Sequence, residues 1–227
     1  MNQIAVTPRT RLKRAANRAV FQRDRMYQIL DEALICHVAF VENGEPRMVP
    51  TAILRIDDAV YVHGNRTSRM IRALEDGAMA CIAVTHIDGV VVARSGFHCS
   101  MNYRSVVIYA RGEKLLGKEK RVVLDAFVET LIPGRLADMR DPTPKELRAT
   151  GVVRLALDEA SIKVREGGPI DAEDDYAAPI WAGVVPLRLT PGEPIACERS
   201  IAGIKPPDYV RGYDPAMVRG CDPASHR

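Results

Sequence analysis

What this 227-residue chain lacks narrows its chemistry before any motif is considered. Its five cysteines, Cys36, Cys81, Cys99, Cys197 and Cys221, are odd in number and scattered, and no two form a CxxC pair. That argues against a disulfide framework or a zinc site, so no metal is expected and a reducing cytoplasm is the expected setting. No apolar run approaches the roughly 20 residues that cross a bilayer, and the first residues lack the apolar core of a signal peptide. A net charge of +3 is too small to point to a nucleic acid or another polyanion. There is no GxSxG, no Walker A loop, no GxGxxG and no HExxH. The histidines, at positions 37, 63, 86, 98 and 226, are dispersed. With no catalytic residues to name, the chain reads either as a binding module or as an enzyme that borrows its reactivity from an organic cofactor.

What is present is a β-rich pattern. Leu34–Glu42 alternates like a strand, Asn43-Gly44 is a hairpin signal, and Arg47–Ile56 returns. Asp57-Asp58 turns again into Ala59–His63, which makes the three strands a meander. Further strands are expected at Ala80–Thr85, Gly89–Ala93, Ser105–Arg111, Val152–Leu157 and within Trp181–Leu189. Helical spacing marks residues 25–33, a segment capped by Thr67 that runs to about Glu75, Lys118–Ile132 stopped by Pro133-Gly134, and Pro142–Ala149. Short strands with few helices imply a closed antiparallel barrel. Residues 171–175 (DAEDD) read as a solvated acidic loop.

Three regions follow from composition. Residues 1–24 carry Arg9, Arg11, Lys13, Arg14, Arg18 and Arg23 against Asp24 alone. Such an arm is either solvated or folded over an anionic ligand or a second subunit, and an organelle transit peptide shares its character. Residues 25–190 form the barrel domain, and residues 191–227 an extended or disordered tail.

The stretch 47–74 concentrates the chemistry. Strand, polar loop and helix start bring Ser68 and Arg69 to a helix mouth, where unpaired N–H groups, a hydroxyl and a guanidinium suit an anion such as a phosphate. By themselves these residues do not choose among phosphorylated ligands.

In their order the segments Arg47-Met48-Val49, Asn65-Arg66-Thr67-Ser68-Arg69 and Ser105–Glu113 resemble the pyridoxamine 5′-phosphate oxidase-like flavoproteins. HGNRTSRMIRAL, HCSMNYRSVV and PIWAGVVPL are similar to the flavin-nucleotide-binding branch, related to nitroimidazole-resistance (Nim-type) reductases. The resemblance implies a mainly β fold with flanking helices (α+β), an antiparallel split β-barrel of the FMN-binding type. It implies FMN held at the interface of a homodimer, and oxidation or reduction of a small molecule by hydride transfer through flavin N5. It also implies roles for residues: Arg47 toward the ribityl phosphate, Pro50 and Thr51 along the isoalloxazine edge, and His63, Asn65, Ser68 and Arg69 around the phosphate. Arg104 and Ser105 would approach the flavin, and Trp181 would cover it from the partner subunit. The chain departs from the oxidase pattern at three places. Ala52 and Met70 stand where cofactor-binding lysines are expected, and Arg188 alone remains of the substrate-gripping Arg-x-His pair. The alternatives are a non-catalytic barrel that stores or senses flavin or haem, and a scaffold without cofactor.

Overall fold

The computed structural model describes residues 3–201 and 203–215. Ten strands form one largely antiparallel sheet. The opening helix α1 (Arg23–Asp31) buries Met26, Ile29 and Leu30, the face expected from their spacing. It leads into the hairpin β2 (Ile35–Glu42) and β3 (Glu45–Ala52), whose turn places Asn43 and Gly44 at positive φ, as the Asn-Gly signal requires.

The expected single strand Arg47–Ile56 is broken at the buried Ile53 into β3 and β4 (Leu54–Ile56). β4 pairs with β5 (Ala59–Asn65), and β5 pairs with β8 (Thr150–Ala156). The three-strand meander is therefore not formed. β3 and β4, one residue apart in the chain, are the two ends of a strand path that runs β3, β2, β6 (Met79–Val92), β7 (Ser100–Lys114), β8, β5, β4. The barrel is split rather than closed, and the chain crosses the split at Ile53.

The middle of the sheet is one long hairpin. The runs 80–85 and 89–93 are a single strand, β6 (Met79–Val92), with a register shift between Ile87 and Gly89. Such a bulge lets one strand bend without ending, which is why its sequence reads as two. Its partner β7 (Ser100–Lys114) is longer than expected, and β9 (Ala160–Arg165) and β10 (Gly183–Pro186) add to β7 and β6. Val38, Val60, Ile82, Ile108, Leu155 and Ile162 are among the fully buried side chains of the core.

Helix α2 (Arg69–Glu75) lies close against this sheet. A Cβ on Gly112 would fall 2.8 Å from the Leu74 carbonyl carbon, and one on Gly151 would strike Ile71. These two glycines are the bed in which α2 sits. Helix α3 (Gly117–Leu131) covers the split with Val123 and Phe127 inward, and α4 (Pro144–Ala149) starts with a Thr143/Glu146 capping box.

The basic N-terminal stretch is anchored at several points, with Arg11, Lys13 and Arg14 left exposed between them. Ile4 is buried, β1 (Ala19–Val20) pairs with β9, and Thr7 and Arg9 both bond Glu159. Nor is Asp171 a solvated residue of an acidic loop: its fully buried carboxylate holds Arg94 at 3.0 Å. The tail runs without regular structure to α5 (Asp208–Arg211). Residues 216–227 of the predicted tail, with Cys221 and His226, lie outside the described residues.

Candidate functional site

Two neighbouring features grow from the segment β5–loop–α2. The first is an anion corner. Asn65 ends β5, and its side-chain oxygen accepts from both the N–H and the hydroxyl of Thr67 at 2.8 Å. That turn engages Thr67, so the helix is capped by Ser68, whose Oγ accepts from the Ile71 N–H at 3.3 Å. Arg69, on α2, and Arg47, on β3, converge on one carboxylate: Arg69 Nη1 and Arg47 Nε lie 3.6 and 3.7 Å from Glu42 Oε2. Arg47 also bonds Glu45 at 2.5 Å, yet its buried Nε has no hydrogen-bond partner. A buried donor of this kind is a cost unless a ligand satisfies it.

The second feature was not visible in the sequence. At the split, Ala52, Ile53 and Leu54 face α3 and α4 across a cavity of about 330 Å³. Leu124, Phe127, Val128 and Leu131 form its helical wall, and Met139 and Leu147 close it. Helical spacing alone marks α3 without saying what its apolar stripe faces, and Leu131 at its end is 41% exposed. His63 lines this cavity, edge-on to Phe127 with ring centroids 4.4 Å apart. Its Nδ1 is buried without a hydrogen-bond partner, and burial lowers its pKa from the ordinary 6.5, which favours the neutral imidazole.

Two of the three departures from the oxidase pattern now have places. Ala52 is part of the cavity wall and Met70 is buried in the core, so lysines there would put ammonium groups into apolar surroundings.

The remaining predicted residues are distributed differently. Pro50 and Thr51 lie on the edge strand β3, opposite His37 and Cys36. Arg104 is committed elsewhere: it grips Asp88 through two bonds of 2.9 Å and Glu32 at 2.5 Å. Chiefly through Asp88, these partners raise its pKa further. Ser105 donates to the Lys163 carbonyl on the neighbouring strand at 3.3 Å. Trp181 is 66% exposed, with its ring close over Gly183. Of the ten residues, Arg47, Ser68 and Arg69, with Asn65 shaping the loop, gather at the corner, and His63 turns into the cavity. Among the described residues no three His, Cys, Asp or Glu side chains cluster as a metal site, and no helix is long and apolar enough to cross a membrane.

The split sheet, with an arginine corner at its edge and α3 across its opening, defines the class: a split-barrel protein. The chain belongs to the pyridoxamine 5′-phosphate oxidase family, whose model matches residues 22–164. It is similar to the flavocytochrome Anf3 of Azotobacter vinelandii, with 38% identity, 90% of this chain and 95% of that one covered, and a TM-score of 0.85. It is also similar to the FAD and haem binding protein of Mycobacterium smegmatis, with 42% identity, 86% and 96% covered, and a TM-score of 0.83. A putative 5-nitroimidazole antibiotic resistance protein of Bacteroides thetaiotaomicron shares the fold at 23% identity, with 64% and 86% covered and a TM-score of 0.52. No curated protein matches the chain.

Proposed function

We propose that the protein binds a flavin with its phosphate at the Arg47–Arg69 corner and a haem in the cavity beside it, and that it acts as a flavin- and haem-dependent oxidoreductase. The observation that carries the reading is His63: an imidazole with a buried, partnerless nitrogen, set in an apolar cavity a few residues from the anion corner. An apolar cavity with one imidazole suits haem, which Leu124 and Phe127 would pack against and His63 would hold through its iron. Two guanidiniums, one with a free buried donor, and the Ser68 hydroxyl suit a phosphate. The two relatives with the highest identity quoted above are a flavocytochrome and an FAD and haem binding protein, and the second favours FAD over the FMN expected from the wider family.

When bound, a flavin takes up a hydride and passes electrons on singly, and haem iron takes one at a time. The chain's own residues bind and shield. Arg47 and Arg69 fix the anionic end, the Asn65–Thr67 turn holds Ser68 at the helix mouth, and Phe127 and Leu124 keep water from His63. Glu42 partly neutralises the corner when it is empty and would be displaced or bridged when it is filled.

The exposed apolar side chains of β2 and β3, Ile35, Val41 and Met48, form a face that a second copy of the chain would cover, so a homodimer is part of the reading. A cytoplasmic location, with neither nucleic acid nor membrane as partner, completes it. Absorbance of the purified protein tests the core claim. Flavin bands together with a Soret band are expected, and chromatography of the released flavin separates FAD from FMN. Anaerobic addition of NADH or NADPH then distinguishes an enzyme, which is reduced and reoxidised by an acceptor, from a store. A colourless protein that takes up neither flavin nor haem would end the proposal.

A further inference from the structure

One wall of the cavity is built unlike the others. The linker between α3 and α4 supplies Ile132, Met139 and Pro142 to the lining, yet its single-turn 3₁₀ helix, Arg135–Asp138, buries no side chain. Because Ile132, Leu136 and Met139 are only half-buried, polar contacts hold this wall as well as packing. From inside, the Glu129 carboxylate accepts the Gly134 N–H at 2.6 Å and the Leu136 N–H at 3.5 Å. From outside, the ion pairs Arg140–Glu146 and Arg121–Asp141 tie the end nearer α4, and the 3₁₀ turn itself is held by a residue more than 70 positions away in the chain. Tyr209, on α5, donates its hydroxyl to Asp138 at 2.8 Å and accepts from Arg135 at 3.1 Å. Its ring lies against Gly134, which has φ of 88°; a Cβ there would sit 3.4 Å from the ring.

We propose that Tyr209 is a positioning residue of the cavity: it clamps the 132–143 linker at the mouth and so sets how fast a group bound beside His63 escapes. The identity of that group rests on the haem reading above, whereas the clamp rests on the contacts of Tyr209. The tail after β10 then has a purpose, because it carries this ring back across the molecule. The Glu129 bonds alone leave Asp138 and the Arg135 side chain without this tie, and the segment bearing Met139 follows directly.

The test uses the full-length, haem-loaded protein and measures transfer of haem to excess apomyoglobin through the Soret band. Tyr209→Phe keeps the ring and removes the bridge, and haem loss should accelerate about three- to tenfold, the factor of one lost hydrogen bond. Tyr209→Ala should accelerate it further. Asp138→Asn retains an acceptor for the tyrosine hydroxyl and should keep the rate within about twofold of the unaltered protein. Unchanged loss in folded Tyr209→Phe and Tyr209→Ala overturns the clamp. If the unaltered protein takes up no haem, the haem reading fails separately, and limited trypsin digestion still decides the clamp. Faster cleavage after Arg135 and Arg140 in Tyr209→Phe supports it, and unchanged cleavage refutes it.

Discussion

Substituting Gly112 by alanine probes the link between the sheet and the anion corner. Gly112 lies on β7 beneath the C-terminal end of α2. The added methyl would meet the Leu74 carbonyl carbon and Val153 Cγ1, each at 2.8 Å, and the Leu74 oxygen more closely still. Cβ atoms essentially never approach closer than 3.0 Å, and a backbone carbonyl cannot turn aside as a flexible side chain can. α2 must therefore retreat by several tenths of an ångström, against Ile71 and Leu74, which are fully buried. Overpacking of this kind costs about 1–3 kcal/mol. In a chain of this length that lowers the melting temperature by about 2–12 °C. Because α2 also carries Arg69 and follows Ser68, flavin affinity should fall with stability. Differential scanning fluorimetry reads the first effect and flavin fluorescence titration the second. An alanine variant that melts within about 1 °C of the parent, below the smallest shift expected, and binds flavin equally would refute the close-packing argument.

Other predictions concern the two sites and the thiols. Arg69→Ala should weaken flavin binding by about 1.5–3 kcal/mol, the scale of a charged hydrogen bond. Glu42→Gln should strengthen it, because both guanidiniums lose a competing carboxylate; isothermal titration calorimetry checks both. Burial lowers the pKa of His63, so below pH 6.5 the unfolded chain takes up the proton more readily than the folded one. Stability should decline as pH falls from 6.5 toward the lowered folded value, and His63→Phe should flatten that part of a denaturant-midpoint profile. Cys36 is fully buried and its pKa is pushed up to about 12, whereas Cys99 and Cys197 are exposed. Iodoacetamide at pH 8 should therefore label Cys99 and Cys197 and spare Cys36 until the chain unfolds, as peptide mass spectrometry would show.

The local features were the legible ones. Asn43-Gly44 announces its hairpin because few other pairs accept positive φ at both positions, and Pro133-Gly134 stops α3 where expected. Ser68 and Arg69 are legible as a helix mouth from residue type and order, Arg47 only through the family resemblance, and the fold brings them together. The rest depended on partners distant in the chain. Nothing local says that Arg104 is bound to Glu32, 72 residues away, or that Arg94 holds Asp171. Thr67 and Ser68 are equal as caps until the Asn65 side chain engages the first. The runs 80–85 and 89–93 read as two strands, but pairing with β7 carries the chain through between them as a bulge. The cavity was hidden for a different reason. An apolar helical stripe looks the same whether it meets side chains or empty space, and only the break at Ile53 creates that space.

The short path from His63 to Ser68 acts as a ruler. Five residues, extended at about 3.3 Å each, keep the imidazole and the helix mouth within about 17 Å of each other whatever the rest of the molecule does. The same path is intolerant of length change. One residue inserted between His63 and Asn65 would not simply lengthen it; the side-chain alternation of β5 would turn the imidazole away from α3 or misdirect the Asn65 loop. Drift among members of this family should therefore alter residue types along 63–68 more readily than residue number.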